Sequence, residues 1–468
     1  MVNEKLHIVL LPLLAFGHMI PYLELAKCLA RMGHRVSFLS TPRNIDRLPT
    51  VPPDLQPQLQ LVKLTPPAVA GLPEDAQSTS DVPPHELPLL TRRLDGMEGL
   101  LRAFVQSNTF PADWIVYDIF HYWAPVVAAD FGIPSALFTP LTAMSLSFTG
   151  PPSVLLDGRD DPSPEQYTER PPWITIPTNL AWRAHDAVRL TKNLSSISSV
   201  TGVSLNHRIG KAFQGCNVAA VRSSIDFEPE WIPLLSQLLQ KPVFPLGLLS
   251  PSVSEASSEV DEPWAVLEWL DKQKPGSIVY AAFGSEWQLN REEVHEIAFG
   301  LERSELPFFW AYRGDPDLLP EGFDERIKTH GLIHLGWAPQ GRLLAHKSIG
   351  CFLTHAGWAS TVEGLAFGKP LVMLPMHADQ GLIAQRMAEK KVGVEVPREE
   401  ADGSFQGDAI SKCLKLVMMQ EEGETIRSNA LEMTKIFGNA KRNNQHIEEF
   451  VNYLIENRRQ NSLAVPLA

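Results

Sequence analysis

The chain has 468 residues, about three times the commonest size of a single domain, so more than one hydrophobic core is expected. Its 44% hydrophobic and 20% charged residues are typical of a globular protein and exclude a disordered chain. With 41 Lys and Arg against 54 Asp and Glu, the formal net charge is −13. A nucleic-acid binder usually needs a basic surface, so this function is disfavoured.

Cysteine spacing and apolar runs indicate where the protein works. Four cysteines lie far apart and form no CxxC pair, at Cys28, Cys216, Cys351 and Cys413. This pattern argues against structural zinc and a disulfide framework, and it favours a reducing compartment. The apolar N-terminal run is interrupted by His7 and Pro12 and lacks a small-residue cleavage site. No other apolar stretch reaches the roughly 20 residues that span a bilayer, so we expect a cytoplasmic protein without stable membrane insertion.

Short apolar runs alternate with segments of helical periodicity, which is typical of βαβ units around a parallel sheet. In the first half, strands are predicted at His7–Leu11, Arg35–Ser40, Leu59–Leu64, Trp114–Asp118 and Ser135–Thr139. Helices are predicted between them, at Pro21–Met32 and His85–Gln106. Residues 151–210 are rich in proline early and irregular later, so they are expected to leave the sheet.

The alternation resumes after residues 251–263, PSVSEASSEVDEP, whose Ser, Pro and acidic residues predict an exposed linker. Strands are then predicted at Ser277–Phe283, Phe308–Tyr312, Ile333–Trp337, Gly350–Thr354 and Pro370–Leu374. Helices are predicted at Arg291–Ser304, Ser360–Phe367, Leu382–Lys391, Glu424–Phe437 and Gln445–Arg459.

These elements predict an α/β protein with two doubly wound, Rossmann-like domains that face a central cleft. The predicted domains are residues 1–250 and 264–444, and residues 445–468 are expected to form a helix that packs back across both. Ligands in such folds bind outside the carboxyl ends of the strands. Candidate functional residues are therefore sought in the loops that follow strands.

The loop after the first strand contains Gly17 and His18, just before a helix. Histidine is the side chain best suited to act as a general base near neutral pH. Asp118 ends the predicted strand Trp114–Asp118 and could bond the other imidazole nitrogen, as in a catalytic dyad. Alternatively, His18 caps or packs at the turn and Asp118 caps the strand end. The absence of a GxSxG sequence leaves a hydrolase triad with little support.

The segment from Trp337 to Gln380 carries the densest set of candidate ligand contacts, although it has no phosphate-binding GxxxxGK. Small residues around Gly357 let the backbone approach a ligand, and the next helix offers unpaired amides to a diphosphate. Ser360 adds a hydroxyl, and Glu363 is placed to accept from ribose hydroxyls. Trp337 offers a flat face to a nucleobase, while Asp379 and Gln380 suit sugar hydroxyls. Taken singly, Trp337 could be core, Glu363 solvated and His355 a satisfied histidine.

This 44-residue block closely resembles the donor motif of plant UDP-sugar-dependent glycosyltransferases of family 1, which have the GT-B fold. The resemblance extends along nearly the whole chain. The Phe16-Gly17-His18 loop, Asp118 and the Phe283-Gly284-Ser285 stretch stand where the family has its counterparts. A dehydrogenase is disfavoured because no GxGxxG follows a predicted strand, and UDP-sugar epimerases lack this block.

The resemblance implies donor-binding roles for Ser285, Trp337, Ala338, Gln340, His355, Gly357, Trp358, Ala359, Ser360, Glu363, Asp379 and Gln380. The uracil would be contacted by Trp337, Ala338 and Gln340. The diphosphate would be contacted by Ser285, His355 and Ser360. Glu363 would bind the ribose, and Trp358, Asp379 and Gln380 the sugar. A glutamine at position 380 resembles glucose users, so UDP-glucose is the expected co-substrate.

The resemblance also implies the chemistry. His18 would deprotonate the acceptor hydroxyl, Asp118 would share the resulting charge, and the anomeric centre would invert, with no metal and no further cofactor. A departure lies at Ala359, because the family usually reads His-Cys-Gly-Trp-Asn-Ser where this chain has Ala356 and Ala359 in place of Cys and Asn. Loss of that amide could cost about 1.5–3 kcal/mol in donor affinity, whereas the Cys-to-Ala change is expected to be neutral packing.

The acceptor is expected to be a small plant-type metabolite. Residues 40–45 (STPRNI) and 78–83 (STSDVP) resemble the subgroup that extends the sugar of flavonoid or terpenoid glycosides. Alternatives are an aglycone glucosyltransferase and a catalytically weak nucleotide-sugar binder. Candidate aromatic residues for the acceptor wall, each of which could instead be core, are Phe16, Phe120, His121, Tyr122, Phe148 and Trp173. Family habit predicts a monomer.

Overall fold

The computed structural model describes residues 5–107, 109–157, 163–250, 265–284 and 286–458. The chain divides into two compact units: residues 1–160, 194–249 and 441–468 form the first, and residues 161–193 and 250–440 form the second. The sequence-based division assigned residues 161–193 to the first domain, whereas their contacts lie in the second unit. The predicted linker 251–263 lies outside the described residues.

The first unit contains a seven-stranded sheet in the order β3-β2-β1-β4-β5-β6-β7, and every neighbouring pair is parallel. Its strands are β1 His7–Leu11, β2 Arg35–Ser40, β3 Leu59–Lys63, β4 Trp114–Tyr117, β5 Ser135–Thr139, β6 Val218–Val221 and β7 Val243–Pro245. The central strands are buried along their length, as expected when helices cover both faces of a parallel sheet.

The second unit contains a six-stranded parallel sheet in the order β10-β9-β8-β11-β12-β13. Its strands are β8 Ile278–Ala282, β9 Phe308–Tyr312, β10 Gly331–Leu335, β11 Ile349–Thr354, β12 Leu371–Met373 and β13 Gly393–Glu395. In both sheets the order reverses beside the first strand of the unit. This reversal marks a doubly wound sheet, so the predicted fold class is confirmed.

Helices connect the strands. In chain order to residue 250 they are α1 Phe16–Arg31, α2 Pro42–Arg47, α3 Leu87–Asp95, α4 Met97–Ser107, α5 Ala124–Asp130, α6 Ala143–Thr149, α7 Pro152–Asp157, α8 Pro164–Tyr167, α9 Ala184–Ser195, α10 Leu205–Gly215 and α11 Trp231–Leu239. The others are α12 Ala265–Asp271, α13 Arg291–Ser304, α14 Phe323–Ile327, α15 Gln340–Ala345, α16 Trp358–Ala366, α17 Gln380–Glu389, α18 Gly407–Met419, α19 Glu422–Phe437 and α20 Ala440–Glu456. Short 3₁₀ turns lie at Thr79–Asp81, Pro84–Glu86 and Pro316–Leu318.

Several predicted helices differ from the structure in their bounds or their continuity. The helical stretch predicted over His85–Gln106 is divided, because α3 ends at Asp95 and α4 begins at Met97. Gly96 lies between them, where a Cβ would be 2.5 Å from Cγ of Pro67. The predicted C-terminal helix begins earlier, at Ala440, and its apolar face lies in the core of the first unit. There the Trp114 indole Nε1 donates a hydrogen bond of 2.9 Å to the Leu454 carbonyl oxygen.

Among the described residues, none of the helices has both the length and the apolar character that crossing a membrane requires.

Candidate functional site

In the first unit, His18 and Asp118 meet at the carboxyl ends of two adjacent strands. Strands β1 and β4 pair in parallel up to Leu11 and Tyr117, so the loops that follow them leave the sheet side by side. Helix α1 begins at Phe16, which places His18 in its first turn. The imidazole Nδ1 lies 2.8 Å from the Asp118 carboxylate oxygen Oδ2. The structure thus brings the two predicted residues into direct contact.

The Asp118 carboxylate is fully buried and held by backbone amides as well as by the imidazole. The amide of Leu13 donates to Oδ2 at 3.2 Å, and the amide of Ile119 donates to Oδ1 at 2.8 Å. These donors fix the orientation of the carboxylate. An anionic Asp118 accepts the proton of Nδ1, so Nε2, on the opposite edge of the ring, is the nitrogen that can act as a base. The His18 side chain keeps 16% of its surface exposed.

His121 follows Asp118 by three residues and is fully buried. Its Nδ1 lies 3.3 Å from the Asp118 carbonyl oxygen and its ring packs edge-on against Trp123. Within the described part of the chain, its Nε2 has no hydrogen-bond partner. Burial lowers the pKa of His121 to about 4, so this histidine is neutral at physiological pH.

Because His121 is buried in its neutral form, we expect the free energy of unfolding to decrease at acidic pH. The pKa of histidine in an unfolded chain is near 6.5, so between about pH 6.5 and pH 4 only the unfolded state binds this proton. The contribution of His121 to stability is therefore complete above pH 6.5 and decreases as the pH falls. When the pH drops from 7.5 to 5.0, we expect the free energy of unfolding of the wild type to fall by roughly 2 kcal/mol more than that of His121→Gln. Urea denaturation at the two pH values measures the difference, and a pH-independent difference would contradict it.

The other acceptor-wall candidates do not share one environment. Phe148 is fully buried, and its ring packs 5.7 Å from that of Trp231, as in a core. Phe16 is half-buried beneath the Arg47 guanidinium. Phe120 and Tyr122 are half-buried in the first unit, whereas Trp173 belongs to the second.

In the second unit, Trp337 follows β10 and is 57% exposed. The predicted strand Ile333–Trp337 is displaced by two residues, because β10 ends at Leu335 and Gly336 turns with a φ of +106°. His334 Nε2 lies 2.9 Å from the Trp337 carbonyl oxygen. The turn leaves the indole face accessible to a planar ligand, with the half-buried Ala338 beside it.

Gln340, a candidate contact of the nucleobase, lies in one hydrogen-bond network with Glu363, the candidate contact of the ribose. Its Nε2 donates to the Glu363 carboxylate at 3.0 Å and to the Ser360 hydroxyl at 3.3 Å. Its Oε1 accepts from the Tyr280 hydroxyl at 3.4 Å. Gln340 begins α15, while Ser360 and Glu363 lie on α16, so the network fixes the two helices relative to each other.

His355 is enclosed between two glycines. A Cβ added to Gly284 would lie 2.7 Å from its Nε2, and one added to Gly357 would lie 2.5 Å away. Burial lowers the pKa of His355 to about 3, and the nearby His377 contributes in the same direction. The ring is therefore a neutral hydrogen-bonding group. The next residue, Ala356, adopts a φ of +61°, which turns the chain towards the helix that follows.

Helix α16 begins at Trp358 with Gly357 as its N-cap. The first amides of a helix have no partner within it, so they are available to an anion. Ala359 is half-buried in this first turn. The Trp358 indole is only 4% exposed and packs edge-on against Phe437. The ring of this residue, which was predicted to face the sugar, therefore lies in the core, and its backbone amide is the group left for a ligand. Ser285, the remaining predicted phosphate contact, lies outside the described residues.

Asp379 and Gln380 form the start of α17. The Gln380 side-chain oxygen accepts hydrogen bonds from the amides of Met376 at 2.8 Å and His377 at 3.1 Å. The amide NH₂ is thus the end of this side chain that a sugar hydroxyl would meet. Sequence analysis did not single out Arg189 and Trp287, which contact the same loop. Residues 161–193 carry no motif that indicates their contacts with the second unit.

Comparisons with known proteins agree with this arrangement. The family model described as UDP-glucoronosyl and UDP-glucosyl transferase matches residues 249–438. UDP-glycosyltransferase 91C1 of Arabidopsis thaliana is 42% identical over 97% of this chain and 97% of its own. Anthocyanidin-3-O-glucoside rhamnosyltransferase of Petunia hybrida is 32% identical over 96% of each chain.

A solved structure has the same fold over almost the whole chain. The structure of Phytolacca americana UGT2 complexed with UDP-2fluoro-glucose and pterostilbene is 26% identical and has a TM-score of 0.74, covering 96% of this chain and 100% of that one. The two doubly wound sheets are therefore those of the GT-B fold. Together with the relatives, this shows that the chain is an enzyme of the plant UDP-glycosyltransferase family.

Proposed function

We propose that this enzyme transfers glucose from UDP-glucose to a sugar hydroxyl of a small flavonoid or terpenoid glycoside, with inversion at the anomeric carbon. The observation that carries the catalytic part is the 2.8 Å contact between His18 Nδ1 and the buried Asp118 carboxylate. That contact orients a partly exposed imidazole and stabilises its charged form, as general-base catalysis requires.

In the proposed reaction, His18 Nε2 takes the proton of the acceptor hydroxyl. The acceptor oxygen forms a bond to the anomeric carbon as the bond from that carbon to the β-phosphate oxygen breaks, and UDP leaves with the electron pair. Asp118 stabilises the resulting imidazolium. Direct displacement converts the α-linked donor into a β-glycoside without a covalent enzyme intermediate.

The proposed donor site follows the chain from Trp337 to Gln380. Trp337 stacks on the uracil beside Ala338 and Gln340, and Glu363 binds the ribose. His355, Ser360 and the backbone around Gly357, Trp358 and Ala359 bind the diphosphate, together with Ser285. The helix dipole of α16 and these donors stabilise the negative charge of the leaving UDP, so the proposal includes neither a metal nor a cofactor.

The sugar preference is proposed to depend on Gln380 and Asp379. The Gln380 NH₂ group donates and the Asp379 carboxylate accepts, a combination that suits neighbouring hydroxyls of a hexose. Rhamnose is the second candidate sugar, because the Petunia relative is named as a rhamnosyltransferase.

The proposed acceptor is a glycoside because the name of the Petunia relative specifies a 3-O-glucoside as its acceptor. The alternatives are an aglycone acceptor and a nucleotide-sugar binder with weak catalysis. We further propose that the enzyme acts as a monomer in the cytoplasm.

Competition assays test the donor and the acceptor separately. With one flavonoid and its monoglucoside as acceptors, and UDP-glucose and UDP-rhamnose as donors, four values of kcat/KM are measured. We expect the pair of UDP-glucose and monoglucoside to exceed each alternative by at least about tenfold. Preference for UDP-rhamnose would overturn the donor, and preference for the aglycone would overturn the acceptor. Tight UDP binding without transfer would instead favour the nucleotide-sugar binder.

A further inference from the structure

The loop between β12 and α17, residues 374–379, is held by hydrogen bonds from side chains that lie outside the segment 337–380. Arg189, on α9, donates from Nη1 to the Met376 carbonyl oxygen at 3.0 Å. Arg398 Nη1 donates to the carbonyl oxygen of Pro375. The Met376 amide is held by Gln380, so both backbone polar groups of this buried residue are engaged. Movement of the loop at Met376 therefore breaks these hydrogen bonds, two of which are charge-assisted.

Aromatic contacts extend this support to the next residue. The rings of Trp287 and His377 stack with centroids 5.5 Å apart and an interplanar angle of 21°. The Arg189 guanidinium carbon lies 5.7 Å from the Trp287 ring centroid, within range of a cation–π interaction. Arg189 thus contacts the backbone of Met376 directly and the side chain of His377 through Trp287.

Asp186, one turn before Arg189, supports the start of α17. It is 7% exposed, and its Oδ2 lies so close to Gly381 that an added Cβ would be 2.8 Å away. Within the part of the chain that the structure describes, this oxygen has no hydrogen-bond partner, and burial raises the pKa of Asp186, so the side chain fills the space beside Gly381 rather than bonding it. Gly381 directly follows Gln380, so the two α9 residues contact the loop on either side of the proposed sugar-binding pair.

We infer that Arg189, assisted by Asp186, is a positioning residue that sets the preference among UDP-hexoses by fixing the loop that carries Asp379 and Gln380. The inference rests on the proposed role of that loop in binding the donor sugar. Arg189 donates to the backbone of this loop and not to the donor itself. Because the proposed nucleotide contacts lie elsewhere in the second unit, we expect Arg189 to affect the binding of the sugar and not the binding of the nucleotide.

Arg189→Ala is expected to raise the KM for UDP-glucose roughly tenfold, because a charge-assisted hydrogen bond to the loop is lost. The ratio of the kcat/KM for UDP-glucose to that for UDP-galactose should fall by a similar factor. The two donors differ only in the configuration of the 4-hydroxyl. The dissociation constant of UDP itself, measured by calorimetry, should stay within about twofold. Arg189→Lys keeps a donor but loses the planar contact with Trp287, and should restore part of the selectivity.

Arg183→Ala is the matched control, because Arg183 precedes the same helix but pairs with Glu395 on β13 at 2.8 Å. It should leave the donor ratio unchanged. If Arg189→Ala binds UDP normally and keeps the wild-type ratio, or if Arg183→Ala changes the ratio equally, the inference is wrong. If Arg189→Ala fails to bind UDP, the donor ratio of Arg189→Lys is measured instead. A ratio below that of the wild type supports the inference, and an unchanged ratio contradicts it. Failure of the wild-type enzyme to use any UDP-hexose would contradict the proposed function instead.

Discussion

Replacing His18 with alanine is expected to lower kcat by about 10²- to 10⁴-fold, the usual contribution of a general base. The KM for UDP-glucose should change little, because the proposed donor contacts all lie in the other unit. Steady-state kinetics with a saturating acceptor separate the two parameters. A variant within threefold of the wild-type kcat would show that His18 is not the base.

Asp118→Asn is the companion variant, since the amide is close in shape to the carboxylate but carries no charge. It cannot stabilise the imidazolium, and its NH₂ group would favour the wrong tautomer of His18. We expect a loss of kcat approaching that of His18→Ala. Because the two residues act as a unit, the double variant should be no slower than His18→Ala alone. Additive losses would contradict a dyad.

The second large effect is expected at Ala359, where a change to asparagine should tighten donor binding. Ala359 lies in the first turn of α16 and is half-buried, so a longer side chain can extend from the helix terminus. A new hydrogen bond to a charged diphosphate contributes about 1.5–3 kcal/mol, which corresponds to roughly a tenfold to hundredfold lower KM for UDP-glucose. Calorimetry with UDP should show the same gain, since the diphosphate is common to both.

Ala359→Leu is the control for this prediction because leucine resembles asparagine in size but cannot donate a hydrogen bond. It should not tighten UDP binding. Equal affinities in Ala359→Asn and the wild type would show that an amide at this position does not reach the diphosphate. Tightening by both variants would attribute the gain to packing.

The strands that position the site could be predicted because buried parallel strands form continuous apolar runs. HIVLL and FFWAY are such runs, and β1 and β9 have the predicted bounds. The contact of His18 with Asp118 also follows from the sequence, because strand ends converge at one edge of a parallel sheet. By contrast, β6, β7 and β13, of three or four residues, were not predicted, whereas the equally short β12 was, because it lies within the apolar run LVML.

Other features depend on tertiary contacts that local patterns do not contain. The helical pattern was predicted to begin at Pro21, yet the helix begins at Phe16 and includes the proline. Only this earlier start places His18 on the helix. The role of α9 was also missed, because nothing local shows that a segment between two strands of the first sheet contacts the second unit.

The anomeric configuration of the product tests the central claim most directly. Wild-type enzyme, UDP-glucose and a monoglucoside acceptor are incubated, and the new linkage is examined by NMR of the purified product. The account predicts one added glucose in a β-linkage, with one UDP released for each transfer, and no product from His18→Ala on the same time scale. An α-linked product, or transfer that persists without His18, would contradict direct displacement promoted by the His18–Asp118 pair.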